Sequence, residues 1–159
     1  MTPRIHLLAL ALAPFFAGCG YTFAAAPGLA SLSEGRSVDV APMENASLEA
    51  DAGIIATRAA ARAIVERGGG GGSGTLRLSG TVESVNVVPA YIGGWHVDAR
   101  LRLQLIDPKD NRIVAHSSIA EGESYSSADD VEGTEANRRL ATIRLLERMV
   151  AHAIDRLAR

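Results

Sequence analysis

The segment Trp95–Asp107 (WHVDARLRLQLID) decides the fold, because apolar and polar residues alternate along its length. One set of alternate positions is apolar: Trp95, Val97, Ala99, Leu101, Leu103 and Leu105. The intervening set is polar: His96, Asp98, Arg100, Arg102 and Gln104. Side chains of a β-strand alternate between two faces, and antiparallel sheets often keep one face in water. The segment therefore predicts a strand with one face on a core and the other exposed.

The preceding segment, Thr75–Pro89, predicts a second long strand. Its apolar residues keep one parity as far as Val82 and then change parity at Val85. A slip of one residue inside a strand is typical of a β-bulge, which we expect near Glu83 and Ser84.

Two shorter signals complete the predicted sheet. The turn residues of Asp107–Asn111 (DPKDN) predict that Arg112–Gly122 returns as the hairpin partner of the central strand. Far upstream, Ser37–Pro42 (SVDVAP) predicts a short strand, which Pro42 ends or places at an edge of the sheet.

A helix is predicted between the first two strands, over Leu48–Arg67, with Asn45 or Ser47 as its N-cap. Its apolar stripe consists of Leu48, Ala52, Ile55, Ala59, Ala63 and Ile64. The glycine-rich run Gly68–Gly74 ends this helix and predicts a flexible linker. The run contains a formal G-x-G-x-x-G, but a dinucleotide site needs that motif after a strand and before a helix. Here the order is reversed, so we exclude a nucleotide site.

A second helix is predicted near the end of the chain, capped by Ser127 or Asp129 and reaching about Leu157. Its stripe recurs every three or four residues: Leu140, Ile143, Leu146, Val150, Ala153 and Leu157. The order strand, helix, strands, helix predicts an α+β fold, with two helices packed on one face of a roughly four-stranded mixed or antiparallel sheet.

The first eighteen residues have the pattern of a secretory signal peptide. Arg4 is their only charge, the run Ile5–Phe16 is apolar, and the small residues Ala17 and Gly18 follow. About 20 apolar residues are needed to cross a bilayer, so this run is too short for a mature membrane helix. We expect residues 1–18 to be cleaved.

Cys19 is the single cysteine of the chain, so no internal disulfide can form. The sequence Phe16-Ala17-Gly18-Cys19 resembles the lipobox of bacterial lipoproteins, which implies diacylglycerol on the thiol and an acyl chain on the new amine. Gly20 at the next position implies an outer-membrane destination by the same resemblance. Residues 19–36 would then form a lipidated N-terminus and tether, followed by a single domain over residues 37–159.

Composition and motifs argue against several other functions. The net charge of −2 and the lack of Lys/Arg clusters beside aromatic residues argue against a nucleic-acid partner. His96, His116 and His152 have no metal-ligand spacing, and no nucleophile motif occurs. We expect neither an enzyme nor a metal or cofactor site.

The start of the mature chain resembles one known family. Cys19-Gly20-Tyr21 and the later run Val38–Asn45 (VDVAPMEN) are similar to the lipopolysaccharide-assembly lipoprotein family LptE, and the order of later elements agrees. The resemblance covers nearly all the mature chain. It implies a plug and assembly partner of the outer-membrane β-barrel LptD, assisting lipopolysaccharide transport from a lipid anchor on the periplasmic side.

Two groups of residues are candidate contacts in that role. Lipopolysaccharide phosphates favour arginine and lysine, which suggests Arg100 and Arg102 on the polar strand face and Lys109 and Arg112 beside the turn. The alternative is a merely solvated strand face. The loop containing Tyr91 and Ile92 is a candidate barrel contact, unless it folds over its own core.

A second function remains open on the sequence alone. The chain could be a pilotin-like or other structural lipoprotein that chaperones an outer-membrane secretion channel. Purification with its natural partner would separate the two.

Overall fold

A computed structural model describes residues 35–69, 75–90 and 94–158. Within these ranges the chain forms five strands and two helices. In chain order they are β1 (Ser37–Val40), β2 (Glu44–Asn45), α1 (Ala52–Glu66), β3 (Thr75–Pro89), β4 (Gly94–Asp107), β5 (Arg112–Ser126) and α2 (Val131–Leu157).

The strands form one mixed sheet in the order β1-β3-β4-β5, with β2 also paired to β3. The short strands β1 and β2 run parallel to β3, whereas the long strands β3, β4 and β5 are mutually antiparallel. The register of β3 on β4 shifts between Val82 and Ser84, which confirms the predicted bulge. A second shift lies between Leu105 and Ile106.

Both helices pack on the same face of the sheet, which confirms the predicted α+β architecture. The inward residues of β4 are buried as the alternation predicts, for example Leu101, Leu103 and Leu105 at 0% exposure. Above them α2 contributes Leu145, Leu146, Met149, Val150 and Ile154. Helix α1 contributes mainly alanines, including Ala52, Ala56 and Ala60, so it packs closely against α2 with little side-chain bulk.

Helix α1 begins at Ala52, four residues later than predicted, and neither Asn45 nor Ser47 caps it. Asn45 belongs instead to β2, and its amide group holds a turn by accepting from the Ser47 N–H at 3.0 Å and donating to the Glu49 carbonyl at 2.7 Å. This turn leaves Leu48 fully exposed rather than on the apolar stripe. Local side-chain hydrogen bonds of asparagine compete with helix formation, which explains the late start.

The N-cap of α2 is Asp130, so the predicted caps Ser127 and Asp129 were wrong. The Asp130 carboxylate accepts from the Gly133 N–H at 2.6 Å. Strand β5 is also longer than predicted, because it continues past Gly122 to Ser126. Trp95, predicted to face the core, is 37% exposed because it lies at the outer end of the β3–β4 hairpin.

Candidate functional site

The side of the sheet opposite the helices is covered by no described element, and we call it the open face. Its residues alternate with the buried ones along β3, β4 and β5 because strand side chains point to opposite faces. They are mostly hydroxyl, amide, imidazole and charged groups: Ser79, Thr81, Ser84, Asn86, His96, Asp98, Arg100, Arg102, Gln104, His116, Ser118 and Ser124. A polar surface of three adjacent long strands therefore faces away from the core.

Arg100 and Arg102 both lie on the open face, as predicted, but their surroundings differ. The Arg102 Nε lies 3.2 Å from a carboxylate oxygen of Glu83, the residue displaced by the bulge. Arg100 lies between Ser84 on β3 and Ala120 on β5, and it forms no ion pair with any residue the structure describes. Its charge is therefore available to an anion, whereas that of Arg102 is partly balanced.

Two shallow depressions mark the open face. The first, of about 410 Å³, is lined by Ala41, Pro42, Glu44, Ser79, Gly80, Thr81, Arg102 and Gln104. The second, of about 480 Å³, is lined by Ser84, Asn86, Asp98, Ala99, Arg100, Ala120, Glu121 and Gly122. Each depression contains one of the two predicted arginines beside neutral hydrogen-bonding groups and acidic residues, Glu44 in the first and Asp98 and Glu121 in the second. Neither depression is enclosed, so the face suits a broad contact better than a small buried substrate.

The other predicted cations, Lys109 and Arg112, lie apart from these arginines at the β4–β5 turn. Arg100 and Asp107 are seven positions apart along β4, or about 23 Å at roughly 3.3 Å per residue. The Arg112 Nε also lies 3.6 Å from Asp110. The four cations therefore form two separate groups rather than one site.

Asp107 organises the turn. Its carboxylate accepts from the Lys109 backbone N–H at 3.0 Å and from the Arg36 guanidinium at 2.5 Å. These two contacts hold the pKa of the Asp107 carboxyl below its ordinary value, and partial burial opposes them only in part. Asn111 adopts a left-handed φ of 54° there, which asparagine tolerates better than most residues.

The predicted lipid-attachment residue Cys19 and the predicted barrel contacts Tyr91 and Ile92 lie outside the described residues. The described ends of the β3–β4 hairpin beside residues 91–93 are partly apolar. Val87, Val88 and Trp95 are each between 37% and 39% exposed. The Trp95 indole N–H donates to Ser127 Oγ at 3.1 Å.

An ion cluster on the helix side joins α2 to β5. Arg148 donates to Glu121 at 3.2 Å, to Glu123 at 2.6 Å and to the Gly122 carbonyl at 3.0 Å, while His152 lies 2.8 Å from Glu121. Burial raises the pKa of the Glu121 carboxyl, but the hydrogen bonds from His152 and Arg148 lower it more, leaving it below its ordinary value. The hydrogen bond to Glu123 raises the pKa of Arg148 despite its partial burial. The cluster is satisfied internally, so we assign it a structural role.

Sequence reasoning did not identify Glu83, Ser84 or Asn86 as neighbours of the two arginines. The predicted bulge was the available signal, because it moves Glu83 out of register and places Ser84 opposite Arg100. Within the described ranges, no three His, Cys, Asp or Glu side chains are grouped closely enough to hold a metal ion. Neither described helix is long and apolar enough to cross a membrane.

Several solved structures share this fold at low sequence identity. A candidate lipoprotein from Caulobacter crescentus is 18% identical with a TM-score of 0.57, covering 80% of this chain and 93% of its own. A Xanthomonas campestris protein of the DUF330 family is 15% identical with a TM-score of 0.60, covering 77% and 84%. The PelC dodecamer of Paraburkholderia phytofirmans is 17% identical with a TM-score of 0.52, covering 77% and 89%.

At these identities the likeness concerns the fold alone. No model of a protein family matches the chain. No curated protein matches its sequence.

Proposed function

We propose that this chain is a non-enzymatic lipoprotein of the outer membrane, which plugs a lipopolysaccharide-exporting β-barrel of the LptD type and helps it assemble. The observation that carries the proposal is the open face: three long adjacent strands present a polar surface that no described element covers. The interior of large outer-membrane barrels is polar, so a two-layer domain with such a face is suited to lie against the lumen wall.

The arrangement of charge on the open face supports a role with an anionic lipid. Arg100 forms no ion pair within the described residues and shares its depression with Ser84, Asn86 and Asp98, whose carboxylate lies 3.2 Å from His96 instead. Guanidinium groups bind phosphate with two parallel hydrogen bonds, and the phosphates of lipopolysaccharide are such groups. The residues Arg100 and Arg102 are therefore the proposed lipid contacts, with Lys109 and Arg112 as a separate second contact at the turn.

The lipid anchor is proposed from Cys19 and the residues before it. The Caulobacter neighbour is itself described as a candidate lipoprotein, which supports an anchored role for this fold. One acyl chain holds a protein on a membrane only marginally, but three would make release negligible. Growth with a labelled fatty acid should label the wild-type protein and leave a Cys19→Ala variant unlabelled. Acyl label on that variant would contradict the proposed anchor.

Binding to purified lipopolysaccharide tests the proposed contact. We expect Arg100→Ala to weaken binding about five- to tenfold, because an unbalanced charge is lost from the contact. Arg102→Ala should weaken it less, since Glu83 already partly balances that charge. The control is Arg144→Ala on α2, an exposed arginine on the other side of the molecule. Equal binding by Arg100→Ala and the wild type at low salt would refute the contact.

Isolation of the anchored protein from membranes tests the partner. The proposal requires a large lipopolysaccharide-exporting barrel to be retained with it in mild detergent. A ring-shaped secretion channel in its place would favour the pilotin-like alternative. Depletion of the chain should reduce lipopolysaccharide at the cell surface, and an unchanged surface level would count against the proposed role.

A further inference from the structure

The two edges of the sheet differ in how they are covered. At one edge, β1 is only four residues long, and its Val38 N–H donates to the Gly69 carbonyl at 2.8 Å in the segment that follows α1. At the other edge, β5 is fifteen residues long, and no described strand pairs with its outer side. A long edge strand presents a row of backbone donors and acceptors that can pair with another chain.

Two side chains of α2 show which backbone groups of β5 point outward. The Gly122 carbonyl accepts from Arg148 at 3.0 Å, and the Ser126 carbonyl accepts from Asn137 at 3.0 Å. In an antiparallel strand, the N–H and C=O groups of one residue point to one neighbouring strand, and those of the next residue point to the opposite side. His116, Ser118 and Ala120 share that parity, so their N–H and C=O groups point outward as well.

The segment 116–120 is therefore the uncovered part of the edge. Among described residues, no hydrogen bond reaches the outer side of His116, Ser118 or Ala120, and all three side chains are exposed. Proteins commonly protect such edges with lysine, proline or an inward-pointing charge. This segment (HSSIA) contains none of these. On its C-terminal side α2 contacts β5 at Gly122 and Ser126, and on its N-terminal side the register of β5 on β4 shifts at Val114.

We propose that this edge pairs with the same edge of a second copy of the chain, antiparallel about Ser118. The pairing is self-complementary: His116 would lie opposite Ala120 of the second copy, and Ser117 opposite Ile119. The flanking charges also agree, because Glu121 would lie opposite Ala115 and no two like charges would oppose each other. Three outward residues per copy would form roughly six backbone hydrogen bonds across the two-fold axis.

The two copies would keep their open faces on the same side, because the two-fold axis is perpendicular to the sheet. The result is one continuous polar surface of twice the width. This pairing concerns the free protein and does not depend on the proposed barrel partner. A copy that enters a barrel would first have to separate from its partner, so we expect weak, reversible association.

Disulfide crosslinking of the full chain tests the pairing. Residues opposite each other in a hydrogen-bonded antiparallel pair have Cα atoms about 5.5 Å apart, within the range a disulfide spans. Ser118→Cys should therefore give a covalent dimer on oxidation with copper–phenanthroline. The wild-type chain, with Cys19 as its single cysteine, sets the background.

The matched control is Ser124→Cys, which has the same parity, strand and exposure. Two copies of residue 124 would lie about 40 Å apart in the proposed dimer, at roughly 3.3 Å per residue. Any of three results would overturn the pairing. They are equal crosslinking of both variants, no crosslink at Ser118→Cys, and a crosslink from Ser118→Cys to a different protein.

A second variant separates pairing from chance collision. Ala120→Pro removes an outward N–H without touching the hydrogen bonds to β4, and edge strands tolerate proline there. Added to Ser118→Cys, it should reduce the covalent dimer at least fivefold while circular dichroism shows a folded protein. A folded double variant that crosslinks as fully as Ser118→Cys would also reject the proposal.

Discussion

Gly80 lies on β3 where the sheet leaves no room for a side chain. A Cβ atom at this position would be 2.5 Å from Leu103 Cδ2 and 2.9 Å from the Arg102 carbonyl oxygen. The leucine tip can rotate, but the carbonyl belongs to the paired strand and cannot move alone. We expect Gly80→Ala to lower the free energy of unfolding by about 1–3 kcal/mol, measured by urea denaturation. Ser79→Ala, one residue away on the open face, should change it by less than about 0.5 kcal/mol.

Strand alternation predicts which face Arg100 and Arg102 lie on, but not which residues surround each of them. Strand alternation correctly placed Arg100 and Arg102 on an exposed polar face. It treated them as equivalent, because period-two patterning carries no information about cross-strand neighbours. Their difference depends on Glu83, whose position follows from the exact register of β3 on β4. Long-range register is set by the whole hairpin, so this part of the site required the structure.

At the level of elements, the N-terminus of α2 depends on one carboxylate. Asp130 is in extended conformation and accepts from the Gly133 N–H, so it satisfies a donor that the helix leaves unpaired. We expect Asp130→Ala to destabilise the protein by about 1 kcal/mol in thermal or chemical denaturation. Asp129→Ala removes the same charge one residue earlier without removing the cap. If both variants lost equal stability, charge near the helix terminus rather than capping would be responsible.

The strands were predicted more accurately than the helix starts, for a physical reason. The β3–β4–β5 meander follows from alternation over more than ten residues and from one turn. The pattern that predicts each strand therefore lies within that strand. A helix start depends on a few hydrogen bonds, and several residues compete for them. Near α1, Asn45 forms a turn with Ser47 and Glu49 instead of a cap. At α2, Ser127, Asp129 and Asp130 are all residue types that cap helices, and only the backbone conformation shows that Asp130 is the N-cap.

At the scale of the whole molecule, ion pairs of α2 reach the segments flanking α1 and the strand β5. Helix α2 is joined to the segment before α1 by an ion pair between Arg138 and Glu49. At its other end Asp155 lies 2.7 Å from Arg67, just after α1. Between these, Arg148 binds the carboxylates of Glu121 and Glu123 on β5. The two layers are therefore linked by charge as well as by the apolar core, which makes their association dependent on pH.

The direction of that dependence follows from the depressed pKa values. Burial raises the pKa of Glu121, but the hydrogen bonds from His152 and Arg148 lower it more. The hydrogen bond from Arg138 lowers the pKa of Glu135. Such a carboxyl binds its proton less readily when folded than when unfolded. Its contribution to stability is therefore present above the ordinary value of 4.5 and is lost as pH falls below it. We expect the melting temperature to drop progressively from about pH 4.5 downward.

Arg148→Met isolates the share of this effect that comes from the cluster on β5. At pH 7 the variant leaves the half-buried Glu121 carboxylate without its guanidinium partner, which should cost about 1–2 kcal/mol. As the pH falls through 4.5 and below, Glu121 takes up a proton and the loss of Arg148 matters less. The melting temperatures of variant and wild type should therefore converge in acid. Arg144→Met removes an exposed arginine that forms no ion pair with any described residue, and its difference from wild type should stay small at every pH. A constant gap between Arg148→Met and wild type from pH 7 to pH 3 would mean that the arginine stabilises α2 through packing of its methylene chain rather than through charge.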